Sequence, residues 1–159
     1  MFSLEGMNAL VTGASGGIGS AIAHALASQG ARLALSGSNG AKLRAFREQL
    51  LEEHGGEHVD ELIPATLDTL GGVDIVVNNA GITRDGLAMR MKDEDWDQVI
   101  SVNLEAAFRI MRASARPMMK ARFGRIINIT SVVGHTGNPC QMIYCAAKAG
   151  LTGMTKSFA

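Results

Sequence analysis

Apolar residues along this chain come in two rhythms. Short unbroken bursts occur at Met7 to Thr12 (MNALVT), Arg32 to Ser36 (RLALS), Val73 to Val77 (VDIVV) and Arg125 to Thr130 (RIINIT). Runs this short, bounded by glycine or polar residues, suit strands buried on both faces of a parallel sheet. Between the bursts, apolar residues recur every three or four positions, the period of a helix with one buried face. A helix is expected over 18–29, with Ile22, Ala25 and Leu26 as its apolar stripe and Gly30 closing its C-terminus. Others are expected over about 41–53 and 60–70, over a long stretch from Asp93 to Ala115, and through Tyr144 and Lys148. The long helix carries acids in its first turn, where the helix dipole favours them. Strand and helix alternate, which predicts an α/β fold with a doubly wound parallel sheet.

The alternation breaks once. Between the helices ending near Glu53 and beginning near Asp60 lies only HGGEHV, too short and polar for the buried strand that a crossover requires there. A strand is therefore expected to be missing, through a deletion near 54–60. The sequence stops at Ala159 inside its last helix, so a truncation there is expected too. Residues 1–159 are read as a single, incomplete domain.

Composition narrows the functional classes. With 159 residues and 47% apolar content, the chain can bury one core. Fifteen basic and fifteen acidic residues cancel, which argues against nucleic acid or a membrane surface as a partner recognised through bulk charge. Cys140 and Cys145 fit neither a C-x-x-C motif nor a metal-ligand pattern, and no leader-like apolar segment follows Met1, so a cytoplasmic location is expected. His24, His54, His58 and His135 are scattered without ligand spacing, and no metal is predicted.

Two motifs carry chemistry. TGASGGIG, Thr12 to Gly19, stands where the first strand gives way to a helix, the context that turns glycines into a dinucleotide signature. There the backbone can approach a pyrophosphate, whose charge is favoured by the free N–H groups of the helix start. Its spacing, Gly13, Gly17 and Gly19, differs from the ordinary G-x-G-x-x-G. Near the other end, Tyr144 and Lys148 lie four apart and share a helix face. Alone, such a pair is compatible with a lysine stem lying along a surface tyrosine. Chemically, an ammonium beside a phenol favours the phenolate and suits proton transfer.

These motifs occur in order with NNAG (Asn78 to Gly81), Asn103 in the long helix, and Ser131, thirteen residues before Tyr144. In this the chain resembles the short-chain dehydrogenase/reductase family, and within it the 3-oxoacyl-(acyl-carrier-protein) reductases of fatty acid synthesis. The resemblance implies a Rossmann-like sheet with central strands in the order 2-1-4-5, and NADPH-dependent reduction of a 3-oxoacyl thioester. Tyr144 would donate the proton, Lys148 would tune it and hold the nicotinamide ribose, Ser131 would orient the carbonyl, and Asn103 would interrupt its helix and hold a proton-relaying water. Gly13, Ser15, Gly17, Ile18, Gly19, Ser38, Asn78, Ala80 and Gly81 would bind the cofactor together with Tyr144 and Lys148. NADPH is favoured because LALSGSN offers no acid after the second strand to grip a ribose 2′-hydroxyl. Ser38, Asn39 and Lys42 could serve a 2′-phosphate or simply form a loop.

The resemblance also implies a homotetramer, paired through the long helix with its apolar set Leu104, Ala107, Phe108 and Met111. The cluster Lys120, Arg122 and Arg125 is a candidate patch for the acidic carrier protein, or a solvated helix terminus. Two other functions stay open: reduction of another carbonyl, such as acetoacetyl-CoA, and a non-catalytic nucleotide-binding fragment or partner subunit.

Overall fold

The computed structural model describes residues 3–55, the backbone of 58–59, and residues 72–159. They form two units, one of residues up to Ala80 with Arg112–Ile127, the other of Gly81–Met111 with Asn128–Ala159.

The first unit is built on a sheet. Strand β1 (Asn8–Thr12) runs parallel to β2 (Arg32–Ser36), with Asn8 opposite Arg32 and Thr12 opposite Ser36. On its other side β1 pairs with β4 (Ile75–Asn78), Ala9 opposite Ile75 and Val11 opposite Val77. Every residue of β1 and β4 is buried, as the unbroken apolar bursts predict. With β3 (His58–Val59) and β5 (Arg125–Asn128), the order is β3-β2-β1-β4-β5. The doubly wound parallel sheet expected from the sequence is therefore present.

Two expectations need correction. The strand thought missing is there: His58 pairs with Leu33 and Val59 with Ala34. A two-residue edge strand needs only two partners on β2 and no apolar run, so HGGEHV could not announce it. In helix α1 (Gly17–Ser28) the buried face is Gly19, Ala23 and Ala27, whereas Ala25 is exposed and Ile22 and Leu26 are half-buried. Small residues let the helix backbone lie close to its neighbours, and this closeness, not side-chain size, selects the face. Helix α2 (Gly40–His54) starts at Asn39, whose Oδ1 accepts from Lys42 N at 3.0 Å, and ends at Gly55 with φ 64°. The helix expected over 60–70 lies outside the described residues.

The second unit is helical, and it includes the long helix only as far as Met111. Helix α3 (Asp93–Ile100) runs through a π-turn (Ser101–Glu105) into α4 (Ala106–Ala121), so the long helix of the sequence reading is present, extends past Ala115, and is interrupted around Asn103. A short α5 (Val133–Thr136) precedes α6 (Met142–Phe158). Val99 on α3 packs with Ile143 and Ala147 on α6, backed by Ile82, Met91, Ile100 and Leu104. Of the set expected to face a second subunit, Ala107 and Met111 are buried, Leu104 is half-buried and Phe108 is 45% exposed. Among the described residues, no helix is long and apolar enough to cross a membrane.

Candidate active site

The glycine motif lies between β1 and α1 and is held from below by one hydroxyl. Thr12 Oγ1 donates to Val77 O (3.3 Å) and accepts from both Asn79 N and Ala80 N, each at 3.0 Å. Asn79 Nδ2 donates to Thr12 O (3.0 Å) and Gly13 O (3.2 Å), tying the end of β4 to the turn. Gly13 has φ +64°, and a Cβ on it would lie 2.9 Å from Ala80 Cα; a Cβ on Gly19 would lie 2.1 Å from Gly13 O. Glycine is thus required at both positions for backbone to meet backbone.

Other positions of the motif are open. A Cβ on Gly17 would meet nothing within 4 Å, and Ile18, in the first turn of α1, is 64% exposed despite its size. Ser15 Oγ lies 3.2 Å from the Cβ position of Gly37, so the first and second strand ends converge. Asn78 and Thr12 are buried, Ala80 is half-buried, and Ser38 is exposed beside the start of α2. Asn39 is committed as the cap of that helix. Arg44 Nη1 lies 3.3 Å from the Cβ position of Gly40, which brings a guanidinium back to the N-terminal end of α2, whose first turn carries no acid.

The second unit gathers the proton-handling residues. Lys148 is only 3% exposed, an uncommon place for an ammonium. Its Nζ donates to Ile129 O at 2.7 Å and stands 5.6 Å from the centre of the Tyr144 ring. Burial holds the Lys148 ammonium below the usual lysine range. Asn103, 2% exposed, donates from Nδ2 to Ile82 O and Val99 O, both at 2.9 Å. Its Oδ1 accepts no hydrogen bond among the described residues, although it is fully enclosed. A Cβ on Gly81 would fall 2.6 Å from that Oδ1 and 3.6 Å from Lys148 Nζ, so Gly81, Asn103 and Lys148 meet at one point. Tyr144 is half-buried on α6. Ser131, also half-buried, sits where the chain turns after β5, its carbonyl accepting from Gly134 N at 3.1 Å.

The sequence reading missed the roles that Thr12, Asn79 and Arg44 take here. Thr12 and Asn79 adjoin residues it chose, and a hydroxyl ending a buried strand beside a second asparagine was the available signal. It also took His24 and His54 as unrelated, yet their ring nitrogens and the Glu53 carboxylate converge within 4.8 Å. The prediction of no metal rested on sequence spacing, which cannot register the side-by-side packing of α1 and α2.

The short chain dehydrogenase family profile matches residues 7–159. The chain is 53% identical to nodulation protein G of Rhizobium sp. strain N33, matching all of this chain and 68% of that protein. It is 51% identical to a 3-oxoacyl-(acyl-carrier-protein) reductase of Rickettsia bellii, again over all of this chain and 68% of the relative. A solved structure from Sinorhizobium meliloti, described as a short-chain alcohol dehydrogenase, superposes with a TM-score of 0.93 at 37% identity, covering 99% of this chain and 67% of that one. The chain belongs to the short-chain dehydrogenase family.

Proposed function

We propose that the protein reduces a 3-oxoacyl thioester carried by acyl carrier protein to the 3-hydroxyacyl thioester, with NADPH as reductant. The observation that carries the reading is the buried Lys148 ammonium over the Tyr144 ring, held by one backbone carbonyl and, among the described residues, no carboxylate partner. A buried cation without a counter-ion is costly, and proton transfer gives a reason to keep it.

The residues present fit a nicotinamide dinucleotide. The open Cβ space at Gly17 and the free N–H groups at the start of α1 would take the pyrophosphate, with Ser15, Ile18, Gly13 and Gly19 shaping the turn. Asn78, Ala80 and Gly81 would line the adenosine side, and Tyr144 with Lys148 would hold the nicotinamide ribose. Ser38 and the Arg44 guanidinium, at a helix start free of acids, favour a 2′-phosphate and hence NADPH over NADH. When bound, the dinucleotide supplies hydride to the substrate carbon.

The chain's own groups then manage the oxygen. Ser131 donates a hydrogen bond to the carbonyl oxygen and fixes its position. Tyr144 Oη gives its proton to that oxygen as negative charge develops on it. The phenolate left behind is stabilised by the Lys148 ammonium. Asn103 Oδ1, enclosed and without a donor among the described residues, would accept from a water that returns a proton through Lys148. The exposed Arg122, with Lys120 and Arg125, is the basic patch we assign to the acidic carrier, in an assembly of four subunits.

The name of the Rickettsia bellii relative supports this substrate. The test is NADPH oxidation by the purified protein with acetoacetyl thioesters of acyl carrier protein and of coenzyme A. Tyr144→Phe should lower turnover by about 10²-fold or more and leave NADPH affinity unchanged. Turnover near wild type would remove Tyr144 as the acid. Preference for the coenzyme A thioester would move the substrate assignment while leaving the reaction in place.

A further inference from the structure

We propose that His24, Glu53 and His54 form a binding site for a divalent transition-metal ion, with zinc the best fit. The site lies on α1 and α2 and belongs to no step of the reduction.

The distances among the three ligand atoms carry the inference. His24 Nδ1 lies 3.2 Å from His54 Nε2 and 3.3 Å from Glu53 Oε2, and His54 Nε2 lies 3.8 Å from the same oxygen. A tetrahedral zinc with bonds of about 2.0–2.1 Å holds neighbouring ligand atoms about 3.3 Å apart, so two edges of the triangle already have the length an ion imposes. The third needs a shift of about half an ångström, within reach of a carboxylate on a surface helix. Two imidazoles and one carboxylate suit zinc, copper or nickel and not the all-oxygen shells of magnesium or calcium. Three protein ligands leave a fourth position for water.

The surroundings orient the ligands. Gln49 Nε2 donates to Glu53 Oε1 at 2.8 Å, which occupies the far oxygen and leaves Oε2 turned to the histidines. The Phe46 ring meets His24 edge-on, centroids 5.4 Å apart and planes at 76°, and limits rotation of the imidazole. Outer contacts of this kind set ring orientation and ligand basicity in metal sites. Side-chain exposures of 29% for His24, 23% for His54 and 46% for Glu53 leave an entry path for the ion. An ion here would fasten the middle of α1 to the last turn of α2, just ahead of edge strand β3, which has two residues of pairing. Binding would thus be expressed as stability of the folded state, and it would weaken in acid because each imidazole must present a lone pair.

The test uses the whole protein after removal of metal with a chelator. Titration with Zn²⁺ against a chromophoric chelator should give one equivalent bound with a micromolar dissociation constant, unaffected by excess Mg²⁺ or Ca²⁺. Co²⁺ should give the intense visible bands of a four-coordinate site. His24→Gln and His54→Gln should each weaken binding at least tenfold, and Gln49→Ala should weaken it about tenfold with the stoichiometry kept. Zn²⁺ should raise the melting temperature of the wild type and leave that of His24→Gln unmoved. Both histidines are near the surface, so metal-free melting of the variants should match the wild type. Unchanged zinc affinity in both histidine variants would overturn the proposal and place the ion elsewhere, as would the absence of binding in the wild type. Loss of NADPH oxidation in Tyr144→Phe with zinc binding intact separates this site from the proposed reaction.

Discussion

Replacing Gly19 by alanine adds one methyl group where the glycine turn has no room for it. In an ordinary helix interior the change would stabilise by about 1 kcal/mol, because glycine loses more backbone freedom on folding. Here the new Cβ would stand 2.1 Å from Gly13 O, 2.8 Å from Gly13 C and 2.7 Å from Asn79 Nδ2. A carbon next to a carbonyl oxygen settles at about 3.3 Å or more, so the contact must open by about an ångström. Gly13 has nowhere to retreat: its own Cβ position is already 2.9 Å from Ala80 Cα, and its oxygen accepts from Asn79 Nδ2 and Gly16 N. Overpacking of this kind costs about 1–3 kcal/mol, with about 1 kcal/mol more if Asn79 lets go. After the propensity gain, which offsets the loss at Asn79, a net loss of about 1–3 kcal/mol remains, or about 2–12 °C in melting temperature for a chain of this size. Gly17→Ala is the companion, since its methyl would meet nothing within 4 Å. That variant should melt at or slightly above the wild type, yet bind NADPH more weakly, because the methyl occupies the space assigned to the pyrophosphate. Thermal melting and NADPH fluorescence titration read the two effects separately. A Gly19→Ala protein as stable as wild type would refute the packing argument, and a Gly17→Ala protein with unchanged NADPH affinity would refute the placement of the phosphate.

Lys148→Met should abolish reduction while making folding less dependent on pH. The folded-state value of Lys148 is lowered by burial, so the unfolded chain holds that proton over a window where the native chain has lost it, and wild-type stability rises with pH up to the ordinary lysine value. The stability difference between wild type and variant should therefore shift in favour of the wild type from neutral pH towards about 10.5, and a flat or opposite trend in paired melts would count against a charged, buried lysine. Ser114→Ala should raise stability by about 1 kcal/mol in urea unfolding, because Ser114 is 0% exposed and its Oγ has no hydrogen-bond partner among the described residues. A loss of similar size would mean that the hydroxyl is satisfied.

The alternation of strands and helices was legible because each central strand is buried on both faces and so reads as an unbroken apolar run. Tyr144 and Lys148 were legible because i,i+4 spacing on a helix is a contact in itself. Other features were hidden for physical reasons. The face of α1 is chosen by closeness at Gly19, Ala23 and Ala27, and hydrophobic periodicity gives its weight to Ile22 and Leu26 instead. Strand β3 is held by register with Leu33 and Ala34, which no local composition records. His24 and His54 are thirty residues apart and meet only because two helices pack side by side. Thr12 looks like the last residue of a strand; its role as a hub depends on where Asn79 and Ala80 lie.

The π-turn at Ser101–Glu105 keeps the long helix in phase. Val99, Asn103, Ala107 and Met111 are all buried, three successive steps of four residues. In a regular α-helix each such step overshoots a full turn by about 40°, so Met111 would be rotated about 120° away from Val99. One residue too many in a single wide turn absorbs about 100° of that drift, and the four positions return to nearly the same bearing. The interruption therefore works like a leap day, a periodic correction between two counts that do not divide evenly. Removing one residue, such as Val102, would restore an unbroken ladder of helical hydrogen bonds and leave Val99 and Met111 eleven positions apart, still within about 20° of one bearing, but it would take away the wide turn in which Asn103 sits. The wide turn that frees Asn103 for its place beside Lys148 also keeps the next two turns of helix aimed at their packing partners.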